Sequence, residues 1–252
     1  ERLDQADGQV LVSIMLANNE TGVIQPVAEL SKIARKYGAL IHTDAVQACG
    51  KIEFDKATLG VDFISLSAHK IGGPQGVGAL IISEDVAIGS HIRGGGQERG
   101  RRAGTENLSG IAGFGVAGEI AGTFVDAVQI KKLRDILEAS IKEITSETVV
   151  YGENVDRLPN TSSIFMPGVK SETQIMKFDL KGIMISAGSA CSSGKVQSSH
   201  VLRAMGVNNE VASNVIRISL GNVNTIDDVN YFVREWKQIY MSANSNRLMK
   251  VA

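Results

Sequence analysis

The sequence predicts an α/β protein built on a mainly parallel sheet. Short apolar, β-branched runs alternate with stretches whose apolar residues recur every three or four positions. Gly and Pro punctuate the boundaries between them. The strand-like runs also end in polar, glycine-containing turns, where α/β sheets present their ligands.

In order, residues 10–16 (Val-Leu-Val-Ser-Ile-Met-Leu) read as a buried strand. Pro26 opens a helix through Tyr37, with Val27, Leu30, Ile33 and Ala34 on one face and Gly38 as its stop. Residues 39–43 and 62–66 read as the next strands, and residues 76–83 lead through small side chains into another. Residues 107–123 form an apolar helix despite Gly110, Gly113, Gly115, Gly118 and Gly122; these cost helix propensity and imply close packing against another backbone. A boundary near Phe124 divides the chain into two portions, 1–124 and an α/β domain at 125–252. The second part opens with a charged helix, 131–145, then a strand at 162–166, a helix at 172–180 and a strand at 183–185. An irregular Ser/Gly loop surrounds Cys191, followed by a short helix at 200–205, a strand at 215–220 and a helix at 225–240. The tail from Met241 reads as polar and frayed.

Lys plus Arg is 26 and Asp plus Glu is 27, a net charge of -1 that argues against coating nucleic acid or an acidic membrane. Hydrophobic residues at 43% suffice for a buried core. No apolar run approaches a bilayer's span, and residues 1–5 do not resemble a signal peptide. Two cysteines, Cys49 and Cys191, are too few for a disulfide scaffold and fit a reducing compartment. The expectation is a globular, cytoplasmic chain.

Ser67-Ala68-His69-Lys70-Ile71-Gly72-Gly73-Pro74 directly follows the 62–66 strand. A lysine at a buried strand's end can lose its proton and form a Schiff base, because burial disfavours ammonium. Alternatively Lys70 is a surface residue in a Gly-Pro turn. His42-Thr43-Asp44-Ala45-Val46-Gln47 stands at another strand end. Pyridoxal phosphate requires a carboxylate against its ring nitrogen, which Asp44 could supply, with Gln47 donating to the ring oxygen. Taken singly, Asp44 could equally cap a following helix.

Three further segments stand out: Asn18-Asn19-Glu20-Thr21-Gly22, Gly94-Gly95-Gly96-Gln97-Glu98-Arg99-Gly100 with Ala103-Gly104-Thr105, and Ser186 to Gly194 around Cys191. A free thiol is usually a small buried hydrophobe. Cys191 sits amid Ser and Gly, with little apolar sequence to bury it, which favours an exposed, reactive thiol. Cys49, after Ala48 at a predicted helix start, reads as structural. Arg217 lies in an otherwise apolar strand and needs an anionic partner; a bidentate carboxylate suits it, whether from a ligand or from a protein Asp or Glu. The Arg93, Arg99, Arg101 and Arg102 cluster admits an RNA-binding reading, but Glu98 interrupts it and no aromatic residue lies within it for stacking.

From about Leu11 to the last helix, these segments resemble the pyridoxal-phosphate-dependent cysteine desulfurases of the NifS/IscS type, with an aspartate-aminotransferase-like fold. The resemblance implies pyridoxal 5'-phosphate as cofactor, with Lys70 as its carrier lysine, Asp44 on the ring nitrogen and Gln47 on the phenolic oxygen. It also implies Ser67 and His69 as phosphate ligands, Asn19 near ring and substrate, and Arg217 on the substrate α-carboxylate. Thr105 would reach the phosphate in a partner subunit's site, so a homodimer is implied. Cys191 would be the nucleophile that takes sulfur from L-cysteine as a persulfide, leaving L-alanine, and passes it to an acceptor such as an iron–sulfur scaffold. The family's longer N-terminal portion, with a helix start for the phosphate and a ring-stacking histidine, has no counterpart here; none of His42, His69, His91 and His200 matches the histidine. The chain therefore reads as a C-terminal portion that needs the N-terminal portion as a partner. Two other readings stand beside it: a selenocysteine lyase-like enzyme, and an inactive fragment serving as a dimerisation or interaction module.

Overall fold

The structure is a computed structural model that describes residues 3–124, 126–187 and 199–248. The chain divides into two compact units, Glu1–Ala17 with Gln25–Val125, and Asn18–Ile24 with Asp126–Ala252.

The first unit runs β1 (Leu11–Met15), α1 (Val27–Arg35), β2 (Leu40–Asp44), α2 (Lys56–Leu59), β3 (Phe63–Ser67), a 3-10 turn (Ala68–Ile71), β4 (Gly78–Ile82) and α3 (Leu108–Phe124). Its sheet has the order β1-β2-β3-β4, with the first three strands parallel and β4 antiparallel. Alternation along β2 buries Ile41 and Thr43 and turns Asp44 to the opposite, open face, while β3 buries its first two residues, Phe63 and Ile64. The buried Asp62 carboxylate ties the layers by accepting from Ile41 N and Arg35 Nη2, each at 2.7 Å. Pro26 stands at the N-cap of α1, where its missing N–H costs nothing. The buried face of α1 is Val27, Ser31 and Ala34, whereas Ile33, predicted on that face, is exposed. Asp55 caps the short α2, accepting from Thr58 N at 2.9 Å, and this holds its carboxyl below the usual range. No helix forms at residues 45–50: Ala48 N and Cys49 N both reach Ala45 O, closing turns instead.

The second unit runs α4 (Ala127–Ile144), β5 (Thr161–Phe165), α5 (Ser171–Asp179), β6 (Ser186–Ala187), α6 (His200–Ala204), α7 (Asn209–Ala212), β7 (Val215–Ser219) and α8 (Ile226–Leu248). Its antiparallel sheet has the order β5-β7-β6. Leu133, Leu137, Ile141, Phe178, Phe232 and Trp236 fill the core, with the Phe178 and Phe232 rings stacked at 4.8 Å. Each such fully buried side chain contributes about 1.5–3 kcal/mol.

Two sequence expectations are corrected here. Residues 183–185 are not a strand, because Ile183 N bonds Phe178 O and closes the exit of α5; pairing begins only at Ser186, opposite Arg217. The tail beyond Tyr240 is not frayed, since α8 continues to Leu248. Buried Asn244 donates to Pro167 O at 3.1 Å and to Tyr240 O at 3.0 Å, docking the extra turns.

A buried ionic group supports the Asn18–Ile24 segment of this unit. Arg157 makes a two-pronged contact with Glu138 at 2.8 and 2.9 Å, and Ser162 Oγ donates to the same carboxylate at 2.6 Å. Beside it, Leu158 N bonds Gly22 O and Ile24 N bonds Asp156 O. Among the described residues no single helix is long and apolar enough to cross a membrane.

Candidate active site

The candidate residues fall into two groups, one in each unit. In the first unit they line the carboxyl ends of adjacent parallel strands, the edge where open α/β sheets bind ligands. Asp44 closes β2 and pairs in register with Ser65 of β3. One of its carboxylate oxygens, Oδ1, accepts from Val46 N at 2.9 Å, a local turn rather than the cap of a helix. Gln47 accepts from Lys51 Nζ at 3.0 Å through Oε1, which orients its amide nitrogen as a free donor.

At the end of β3, Ser67 Oγ and His69 Nδ1 are 2.8 Å apart and hold the start of the 3-10 turn. Gly72 takes φ +86° to close that turn, and Gly73 lies so tightly over Ala68 and Ala117 that a Cβ would come within 3.1 Å of both. That close approach to Ala117 of α3 explains part of the helix's small-residue content.

Lys70 projects from this turn and has no ion pair or hydrogen bond among the described residues. The burial expected for it from sequence is absent: the turn buries only Ala68, and His69 and Lys70 are both exposed. Thr105 lies exposed in the segment before α3. An amine, a carboxylate, an amide donor, a hydroxyl and an imidazole thus follow the carboxyl ends of two adjacent parallel strands. As a donor set they fit a ligand carrying an aldehyde, a basic ring nitrogen and a phosphate.

The second group is built differently. Asn18 Oδ1 accepts from Glu20 N at 2.9 Å, Thr21 N at 3.0 Å and Thr21 Oγ1 at 3.2 Å, making a buried turn. Gly22 ends it at φ +76°, where a Cβ would come within 2.9 Å of Thr161 Cβ. The carbonyl of Asn19 receives Arg217 Nη1 at 2.9 Å, so these two predicted residues do come together, through Asn19's backbone. Arg217 Nε is buried without a partner, and no Asp or Glu pairs with the guanidinium among the described residues. Among the described residues the guanidinium thus meets a backbone carbonyl and no carboxylate, and a planar anion suits its fork. Cys191 lies outside the described residues. Cys49 is a half-buried free thiol; burial pushes it up from its ordinary value, partly opposed by the nearby Lys51 charge.

Sequence reasoning missed Glu20, whose buried carboxylate accepts from Ser199 Oγ. The available signal was an acid set between Asn19 and Thr21 in a turn with no basic residue near it.

The profile of the family described as Aminotransferase class-V matches residues 4–232. A cysteine desulfurase of Sinorhizobium fredii is 47% identical over 226 residues, covering 89% of this chain and 58% of that protein. The cysteine desulfurase NifS of Azotobacter vinelandii is 40% identical over 91% of this chain and 58% of its own length. The solved structure of a NifS-like protein from Rickettsia africae superposes with a TM-score of 0.85 at 42% identity, over 95% of this chain and 64% of that one. The chain thus spans less than two thirds of the length of these relatives.

Proposed function

The chain belongs to the aminotransferase class-V family and is a partial-length homologue of NifS/IscS-type cysteine desulfurases, and from that premise we propose that it carries the catalytic lysine and cysteine of such an enzyme. The family depends on pyridoxal phosphate and has the α/β fold seen here. The proposed reaction converts L-cysteine to L-alanine and leaves the sulfur as a persulfide on Cys191, for iron–sulfur clusters or other acceptors. The observation that carries the substrate half is Arg217, a part-buried guanidinium with an unpartnered Nε and no acidic neighbour paired to it.

Lys70 Nζ would hold the cofactor and, once released by the substrate amine, move the α-proton. Asp44 would keep a proton on the ring nitrogen, Gln47 would donate to the phenolic oxygen, and Ser67, His69 and Thr105 would take the phosphate. When bound, pyridoxal phosphate supplies the electron sink for negative charge at the substrate's α-carbon. Arg217 would grip the α-carboxylate, with Asn19 beside it. Cys191 thiolate would attack the substrate's sulfur: an S–S bond forms as the Cβ–S bond breaks, and that bond's electron pair stays with the carbon skeleton, which takes up a proton and leaves as alanine. In keeping with the family resemblance, Thr105 would reach the phosphate in a second subunit's site, which makes the proposed working form a homodimer.

The test is to follow alanine release and the mass of the Cys191 peptide after adding L-cysteine to the intact, cofactor-loaded protein. Wild type should gain one sulfur atom on that peptide. Cys191→Ser should lose the persulfide while the cofactor's absorption still responds to cysteine. Sulfide release at the wild-type rate from Cys191→Ser would sink the assignment.

A further inference from the structure

His42 stands in the middle of β2 with both ring nitrogens engaged. Its Nδ1 lies 2.7 Å from Ser13 Oγ on β1, and its Nε2 lies 2.8 Å from Ser65 Oγ on β3. A neutral imidazole has one donor and one acceptor, so one serine donates to the ring and the other accepts from it. The three side chains form a hydrogen-bonded bridge across three parallel strands. Asp44 follows His42 by two positions on β2, which puts both on one face with Cα atoms about 6.5 Å apart. An imidazole at that separation can reach a carboxylate, and a hydrogen bond to a charged acceptor is roughly twice as strong as a neutral one. Yet the two do not pair. Among the described residues the Asp44 carboxylate accepts only from Val46 N, through Oδ1, which leaves Oδ2 open. Ser65 sharpens the contrast. It is the register partner of Asp44, but its hydroxyl bonds His42 instead.

We propose that Ser13 and Ser65 are positioning residues that hold the His42 imidazole off Asp44, so that the carboxylate stays open to a basic ring nitrogen. The proposal rests on the pyridoxal phosphate reading of Asp44 above. A released ring would hydrogen-bond Oδ2 and compete with the cofactor for the charge that keeps its ring nitrogen protonated. The rival account is that the bridge merely ties three strands together. The two accounts differ in sign. If the bridge is only a tie, removing His42 as well as the serines deepens the loss. If the serines restrain a competitor, removing His42 reverses the loss.

The test uses the intact protein, stripped of cofactor and titrated with pyridoxal phosphate. Two quantities are read: the dissociation constant from visible absorption, and alanine release from L-cysteine at saturating cofactor. Ser13→Ala/Ser65→Ala should weaken cofactor binding about tenfold, an ordinary size for coupling within one hydrogen-bond network. His42→Phe alone should stay within about twofold of wild type, because no competitor is left to restrain. The triple variant should bind like His42→Phe, and alanine release should fall in the double variant and recover in the triple one. Unchanged affinity in the serine double variant overturns the proposal. So does a triple variant that binds as weakly as the double one or more weakly, which marks the bridge as a tie. A loss in His42→Phe alone as large as that of the serine double variant does the same. Asp44→Asn separates the two readings. If it binds cofactor like wild type, Asp44 is not the ring partner, and that assignment falls and takes the proposal with it. If it binds weakly while the serine double variant does not, the proposal alone is refuted. Should the serine double variant not fold by far-UV circular dichroism, Ser65→Ala with and without His42→Phe carries the same comparison of sign.

Discussion

The carboxyl edge of the first unit's sheet and the Asn18–Gly22 turn of the second unit carry the two halves of the proposed chemistry in opposite physical states. On the edge, Asp44, His69, Lys70 and Thr105 are exposed, and Lys70 has no partner among the described residues. In the turn, Asn18, Glu20 and Thr21 are buried, and one amide oxygen accepts three hydrogen bonds. An exposed, unpartnered side chain keeps its rotamer freedom, so ordering it must come from whatever binds there. A buried, bonded turn is ordered by the chain before any ligand arrives. Sequence motifs of similar polarity can therefore mark either a surface that a ligand completes or a scaffold that completes itself.

Stability measurements separate the two states most strongly at the ionic group beneath the turn. Glu138→Ala strips the carboxylate that neutralises buried Arg157 and accepts from Ser162, and should cost about 3–5 kcal/mol. Lys70→Ala removes an exposed side chain with no partner and should stay within about 0.5 kcal/mol. Urea unfolding of both variants by far-UV circular dichroism checks this, and fluorescence of the single tryptophan, Trp236, reports the second unit alone. Equal losses would erase the contrast between the regions.

Two glycines give a finer comparison. Gly22 and Gly72 both have positive φ, at +76° and +86°. A Cβ at Gly22 would press to 2.9 Å from Thr161 Cβ, while at Gly72 it would meet nothing within 4 Å. Gly72→Ala should thus cost about 1 kcal/mol from the backbone alone. Gly22→Ala should add a crowding penalty of about 1–3 kcal/mol on top of that. Matching thermal shifts for the two variants would mean that Thr161 yields freely and the turn is less rigid than its bonds suggest.

The strands and long helices were legible because burial writes a pattern into them: in β2 the buried Ile41 and Thr43 alternate with His42 and Asp44, and β3 is a short apolar run that buries Phe63 and Ile64. What failed depended on distant partners. The true extent of α8 rests on Asn244 finding Pro167 O, and the displaced β6 rests on Arg217 being its neighbour. Neither contact leaves a local trace. Of the candidate site, the polar strand ends at Asp44 and Lys70 were readable from their position after apolar runs, whereas the exposure of Lys70 was not. Glu20 was invisible as a site residue since its side-chain partner Ser199 lies 179 positions away. Motif reading finds residues that face a ligand; it passes over those that only face the protein.

The smallest expected effect concerns the thiol of Cys49, in the first unit. Cys49 is half-buried just beyond Gln47, and desolvation raises its thiol while the Lys51 charge pulls the other way and loses. Only the thiolate reacts with an alkylating reagent. The rate at Cys49 should therefore climb at a higher pH than for an ordinary thiol of pKa about 8.5. Because Lys51 lowers that pKa, Lys51→Met should push the profile of Cys49 higher still. Peptide mapping after iodoacetamide treatment across this range follows each thiol separately, and Cys191, read from its Ser- and Gly-rich context as an exposed thiol, should be modified first. A Cys49 profile at or below the ordinary thiol value would mean that the Lys51 charge outweighs burial. The edge of the first unit would then be more strongly cationic than its open geometry implies, a point that bears directly on how it would receive a phosphate.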